Sequence, residues 1–439
     1  MDMDMDKKRI VIVGGGAGGL ELARNLGSYF SDKNIDIMLV DKNRTHLWKP
    51  LLHEVAAGSL DANLDEVGYG GHGVKWGYRF FYGMFDSINR HEQLIKIAPL
   101  KDYNGEEIIS AHEIYYDYLV IATGGVSNDF SIPGVSKNAL FLEHRAHADE
   151  FRAKLLNECF KVSLQVEAGT EHAHIDLVIV GGGATGVELA AELYSAARSL
   201  RNYGLEDFDE SRLHVSLIEA GPRILPSLPE KLAIMAEKEL ATMGVTIYTS
   251  TVVSDVGKTE ITTRDGRKIT SSLTLWAAGV KGADYLSELD GLETDNLSRL
   301  IVNNFLQTSV DERIFAIGDC ASFTPKAADR PLHPRAQAAH QMAKAVFVNI
   351  CAKIERKPVQ EFVYQDKGSI VSLSRFFTIG NLMGNLVRGE MAIEGRLARV
   401  AYWSLYRLHL LAIHGLLKGL TLILIGHVNQ IVRPKLKVH

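Results

Sequence analysis

The sequence predicts an α/β protein built from two Rossmann-like dinucleotide-binding domains and a C-terminal module, and three observations carry that reading. The phrase VIVGGGAGGLE at residues 11–21 returns as VIVGGGATGVE at residues 178–188. Each copy lies between a strand-like and a helix-like pattern, and each is followed by a second strand that stops at an acid. Beyond about residue 360 the pattern changes to short strand-like stretches and then to a leucine-rich, basic end.

In chain order, the apolar run 10–13 reads as a strand, and Leu20, Ala23 and Leu26 recur at helical spacing behind the first glycines. Residues 35–40 form the next strand and end at Asp41. Residues 118–121 read as a strand closing on Ala122, Thr123 and Gly124, and the IPG triplet at 132–134 as a turn. In the second copy the strand is 177–180, the helix carries Leu189, Leu193 and Ala196, and the strand 215–218 stops at Glu219. The polar stretch 198–212 between them is a helix extension or a loop. Residues 313–317 are a further buried strand ending at Gly318 and Asp319, 335–350 are helical, and 369–373 are strand-like. The expected boundaries are 7–144 and 281–355 for the first domain, 145–280 for the second, inserted domain, and 356–439 for the C-terminal module.

Composition narrows the function. With 46% hydrophobic and 23% charged residues in 439, the chain is globular, not disordered. The net charge of −5 is uneven: residues 395–439 hold seven Lys or Arg and no acid, which leaves 41 basic against 53 acidic side chains elsewhere. An acidic body repels nucleic acid, so only the tail is suited to an anionic surface. Cys159, Cys320 and Cys351 stand alone, without a CxxC pair or a cluster at metal spacing, which argues against an iron–sulfur cluster, a zinc site and dithiol chemistry. No metal site is expected. The start MDMDMDKK has no apolar core of a leader, so a cytoplasmic origin is expected.

The glycines of each copy have separate duties. Gly14 and Gly181 permit the tight turn, Gly16 and Gly183 let backbone approach a pyrophosphate, and Gly19 and Gly186 let the helix pack on the strand. The helix N-terminus then offers unpaired N–H groups to the phosphates. Asp41 and Glu219 stand where a carboxylate holds ribose hydroxyls. Glu219 would repel a 2′-phosphate, which favours NADH over NADPH, although Arg223 nearby could accommodate one. Two dinucleotides in one chain suit a loosely held hydride donor and a resident acceptor.

From the first glycines to Gly318 and Asp319 the chain resembles the two-dinucleotide-binding flavoproteins, whose N-terminal copy holds FAD non-covalently and whose inserted copy holds NAD(P)H. The stretch TSVDERIFAIGD at 308–319 matches that family's second FAD motif. Nearly end to end, the chain resembles the type II NADH dehydrogenases, the single-subunit NADH:quinone oxidoreductases of respiratory membranes. The carriers are both glycine phrases, HLWKPLLHEVAAGSLD, WAAGV, AIGDCA, PRAQAAHQMA and the basic C-terminus. PRAQAAHQMA resembles the family's AQxAxQ quinone-site signature, with Gln337 and Gln341 four apart on one helical face.

The resemblance implies FAD contacts at Gly14, Gly16, Gly18, Gly19, Asp41, Lys42, Lys49, Ala122, Thr123, Gly124, Gly318, Asp319, Ala336 and Gln337. It implies NADH contacts at Gly181, Gly183, Thr185, Gly186, Glu188, Glu219, Ala278 and Gly279. Gln337, Gln341, Glu188 and Lys367 become candidates for catalysis. Glu188 could orient NADH or relay a proton to quinone, or simply complement the helix dipole. His46, His53, His333 and His340 are read as structural or rim residues. The activity implied is hydride transfer from NADH to FAD, then two electrons to a membrane quinone without proton pumping. The alternatives are a soluble NADH oxidase or diaphorase and an NADH-sensing flavoprotein.

The end at 399–428 has no apolar run of the roughly 20 residues a span requires, because Arg407, His409, His414 and Lys418 interrupt it. It reads instead as amphipathic helix lying on an anionic lipid surface through residues 396–439, or as a homodimer face. The expected place is peripheral, on the cytoplasmic face of the cell membrane.

Overall fold

The computed structural model describes residues 7–432 except 103, 201–207, 209, 327, 374–376 and 383–390. The sequence-level elements Arg433, Lys435 and Lys437, and most of the loop within 198–212, therefore lie outside the described residues. The chain divides into two compact units, Met1–Trp48, Glu66–Val126 and Val280–Tyr364 in the first, and Lys49–Asp65, Ser127–Gly279 and Gln365–His439 in the second.

Along the chain the elements that shape these units begin with β1 (Lys8–Val13), α1 (Ala17–Tyr29), β2 (Ile35–Asp41), α2 (Leu52–Ala57), α3 (Tyr69–Trp76), β3 (Arg79–Tyr82) and β4 (Tyr118–Ile121). Next come α4 (Arg145–Glu167), β5 (Ile175–Val180), α5 (Ala184–Leu200), β6 (Leu213–Ile218), α6 (Glu230–Met243), β7 (Thr246–Tyr248), β8 (Leu273–Trp276) and β9 (Ile314–Ala316). The last are α7 (Ala336–Ile354), β10 (Gly368–Leu373), β11 (Phe377–Leu382), β12 (Met391–Glu394), α8 (Gly395–His414) and α9 (Leu416–Val432).

The first unit is organised by a parallel sheet in the order β9-β4-β1-β2-β3. Ile10, Val11 and Ile12 in its central strand are fully buried, as expected of a strand covered on both faces. Helices α1 and α7 pack on each other. Gly18 makes that approach possible: a Cβ there would stand 3.0 Å from the Ala339 carbonyl oxygen.

The second unit repeats the device with a parallel sheet in the order β7-β6-β5-β8. Residues 49–65, read from sequence within the first domain, pack here instead, because α2 buries Leu52, Val55 and Ala56 and lies against α4 and α5. The antiparallel sheet β10-β11-β12 carries α8 on it and also meets α5 and α6. Gly415, at a φ of 75°, separates α8 from α9. Among the described residues no helix is long and apolar enough to cross a membrane.

Candidate active site: two nucleotide cradles and a buried carboxyl

In the first unit, β1 runs into Gly14 at a φ of 101°, a left-handed conformation that favours glycine. A side chain there would also collide with the Ala122 carbonyl at the end of β4. The two strand ends therefore meet at the turn, and the Ala122 N–H donates to the Val13 carbonyl at 2.7 Å. Gly19 packs its helix onto the Gly14 carbonyl. Gly16 is different, since a Cβ on it would meet nothing within 4 Å. As the N-cap of α1 it makes no side-chain cap, so the first N–H groups of the helix are left for an anion.

The turn is held from behind by Asp41. Its Oδ2 accepts the Gly15 N–H at 2.6 Å, and its Oδ1 accepts the Asn43 N–H at 2.7 Å. Burial raises its pKa, against the lowering effect of those backbone donors. The Gly15 carbonyl accepts from the Tyr69 hydroxyl at 2.7 Å and faces His46 Nδ1 at 2.9 Å. Full burial lowers the His46 pKa to about 4, so the ring is neutral and its Nδ1–H is the donor. Gly318, after β9, turns at a φ of 75° with its N–H toward Met342 Sδ, and the Gly125 Cα faces the Asp319 side chain. Ala336, Gln337 and Gln341 are half-buried in the first turns of α7. An open glycine, an uncapped helix start and an acid at the strand end fit the diphosphate and ribose of FAD. Lys42 is exposed beside Asp41.

The second unit repeats the glycine turn and its hydrogen-bonded acid. Gly181 has a φ of 117° and abuts the Ala277 backbone, while a Cβ on Gly183 would meet nothing within 4 Å. Gly186 packs on the Gly181 carbonyl, and Thr185 is exposed in the first turn of α5. Glu219 Oε2 accepts the Gly182 N–H at 2.7 Å, and Oε1 accepts the Gly221 N–H at 2.6 Å. Arg223 is committed elsewhere: its guanidinium donates to the Leu228 carbonyl at 2.8 Å and the Pro226 carbonyl at 3.2 Å. Ala278 and Gly279 follow β8, with the Gly279 carbonyl accepting the Asn128 N–H.

Glu188, in the second turn of α5, is buried. Its Oε1 accepts the Ser372 N–H at 3.1 Å, and its Oε2 stands 3.6 Å from His53 Nδ1. The latter exceeds hydrogen-bond distance. Burial pushes the Glu188 carboxyl up to about 8 and the His53 imidazole down to about 4. At neutral pH both are uncharged, so they are not an ion pair. Glu54 and Glu192 add to the rise; burial first, and then the same three carboxyls, raise the Tyr402 phenol, whose buried hydroxyl has no partner among the described residues. Sequence reading singled out Glu188 and read His53 as structural or rim, but did not name Tyr402; the last two come from α2 and α8.

The candidate residues thus fall into two groups. The first unit holds the glycines of the first copy, Asp41, Lys42, Ala122 to Gly124, Gly318, Asp319, Ala336, Gln337 and Gln341. The second holds the other glycines, Thr185, Glu188, Glu219, Ala278, Gly279, Lys49 and the exposed Lys367 at the entrance to β10.

Known proteins share this organisation. The family model of pyridine nucleotide-disulphide oxidoreductases matches residues 8–343. A type II NADH:quinone oxidoreductase of Haemophilus influenzae is 43% identical, over 98% of this chain and 100% of its own. One from Staphylococcus aureus is 29% identical, over 89% and 93%. The structure of NDH2 from Plasmodium falciparum in complex with NADH has the same fold, with a TM-score of 0.82 at 21% identity over 98% and 100% of the two chains. All three cysteines here are free and buried. By sequence and by both cradles, the chain belongs to the pyridine nucleotide-disulphide oxidoreductases and, within them, to the type II NADH:quinone oxidoreductases.

Proposed function

We infer that the protein oxidises NADH and reduces a membrane quinone, without moving protons across the membrane. The observation that carries this is the pair of open glycine cradles in one chain, each with its acid hydrogen-bonded to the middle glycine. Bound FAD would supply the two-electron redox chemistry between NADH and the quinone.

The residues of the chain do the rest. In the second unit the opening at Gly183 and the start of α5 receive the NADH diphosphate, and Glu219 keeps lone pairs for ribose hydroxyls. Because the Arg223 guanidinium is tied to two carbonyls, it does not offset Glu219 against a 2′-phosphate, which supports NADH as donor. Glu188 is protonated at neutral pH and suits the role of proton donor. In the first unit Gln337 and Gln341 share a face of α7 and offer amides to a quinone carbonyl. Lys367 is assigned to the flavin pocket on the family resemblance.

For the membrane, α8 and α9 expose Leu397, Val400, Trp403 and Leu408, then Leu417, Leu420, Leu424 and Val428 at helical spacing. With Arg396, Arg399, Arg407 and Lys418 near them, these residues suit an anionic lipid surface on the cytoplasmic side better than a second copy of the chain.

Anaerobic stopped-flow absorbance tests the activity. Rapid flavin bleaching by NADH, slow bleaching by NADPH and rapid recovery with a short-chain quinone are expected. Bleaching without recovery would leave an oxidase or sensor.

A further inference from the structure

At the N-terminal ends of β5 and β6, away from the glycine turns, three metal-ligating side chains gather on the surface of the second unit. Asp176 and His214 are direct partners in the parallel pairing of these strands. His174 lies just before β5, two residues ahead of Asp176. Asp176 Oδ2 stands 3.4 Å from His174 Nε2, and Oδ1 stands 3.5 Å from His214 Nδ1. One donor atom from each of the three lies within 4.8 Å of the others, and the two imidazole centroids are 4.3 Å apart.

These separations are too long for the hydrogen bonds of a His–Asp–His ion pair. Each is instead in the range of two donors on one ion, with the carboxylate turning a different oxygen to each imidazole. Donors about 2.0 to 2.2 Å from a tetrahedral zinc stand about 3.3 to 3.6 Å from one another. The ring of His174 is also set for ligation, since its Nδ1 donates to the His172 carbonyl at 2.7 Å and leaves Nε2 as the acceptor nitrogen. That turn is itself fixed: Arg212, just before β6, donates to the carbonyls of Glu171 and Ala173 at 3.1 Å each.

We propose that His174, Asp176 and His214 form a binding site for a borderline divalent ion of the zinc type, with a fourth position open to water. Two imidazoles and a carboxylate select such an ion over magnesium, which prefers oxygen donors. The site ties the starts of β5 and β6 together and lies outside the NADH cradle, so it is structural to the nucleotide unit and takes no part in electron transfer. The sequence expectation of no metal site rested on local spacing, whereas these donors come from strands 38 residues apart.

The test uses the untagged, FAD-loaded full chain, stripped with chelator and dialysed against zinc with excess magnesium. Wild type should retain about one zinc per flavin more than His174→Gln or His214→Gln. His172→Gln keeps the carbonyl and all three donors, and should keep the zinc. Cobalt in place of zinc should give a visible absorption band that both ligand variants lose, while the rate of flavin reduction by NADH stays unchanged in all of them. Equal zinc in wild type and the ligand variants, or loss of zinc in His172→Gln, would overturn the assignment.

Discussion

Replacing Glu188 by Gln should stabilise the protein in a pH-dependent way. The carboxyl, ordinarily at 4.5, is pushed up to about 8 by burial. At about 1.4 kcal/mol per pH unit, holding it ionised in the fold costs on the order of 4 to 5 kcal/mol above pH 8. The sign follows from the direction. A group whose folded pKa is raised contributes stability that is full below 4.5 and is lost as pH rises to about 8. Glutamine keeps an oxygen for the Ser372 N–H and has no proton to lose.

The variant should therefore gain on wild type across that window, by about 3 kcal/mol between pH 5 and pH 7.5. At about 2 °C per kcal/mol for a chain of this size, that is a relative rise of about 6 °C in Tm. Thermal unfolding of the FAD-loaded chain, followed by flavin fluorescence at both pH values, reads it. The groups that face Glu188 and could share the titration are His53, Glu54, Glu192 and Tyr402. Every other group cancels between wild type and variant, so Tm values that run parallel at both pH values would refute a neutral buried acid. Quinone turnover should fall in the same variant, because the amide cannot release a proton.

Other changes separate the remaining assignments. Gln341→Leu should lower quinone turnover about tenfold, the worth of one lost hydrogen bond, while flavin bleaching by NADH in stopped flow is unchanged. Gly16→Val and Gly183→Val put side chains into open space and should fold, the first purifying without FAD and the second retaining FAD with a KM for NADH raised at least about tenfold. Leu417→Asp with Leu424→Asp removes about 2 kcal/mol of apolar burial per site, so sedimentation with anionic vesicles should drop by more than about a hundredfold.

Much of this was legible because it is local. The glycines, the strand ends and the acids Asp41 and Glu219 sit within a single βαβ unit, where spacing alone fixes their places. What sequence reading missed depends on distant packing. Tyr69 reaches the Gly15 carbonyl from a segment beyond β2, beside His46, which was read as structural or rim, and nothing in its own neighbourhood signals it. The Arg223 guanidinium looked available to a phosphate until the turn at 226–228 folded back on it. Residues 49–65 follow the first unit in sequence but find their apolar partners on α4 and α5.

The two cradles differ in what holds the middle glycine, and the difference matches what each must hold. The Gly182 carbonyl accepts a backbone N–H, that of Leu225, at 2.7 Å. The Gly15 carbonyl instead receives two buried side chains, Tyr69 and His46, and burial keeps both in the neutral donor form by raising the phenol and lowering the imidazole. Such a clamp fixes the turn through the packing of α3, which suits a cofactor retained through many turnovers, whereas NADH must leave in every cycle. Tyr69→Phe keeps the ring and deletes one donor, leaving the carbonyl to His46 alone, at a cost of about 1 to 2 kcal/mol. The FAD dissociation constant, measured by dilution and flavin fluorescence, should rise about tenfold, with the KM for NADH unmoved. If both constants rise together, or FAD is held as tightly as before, the clamp has no such specialised role.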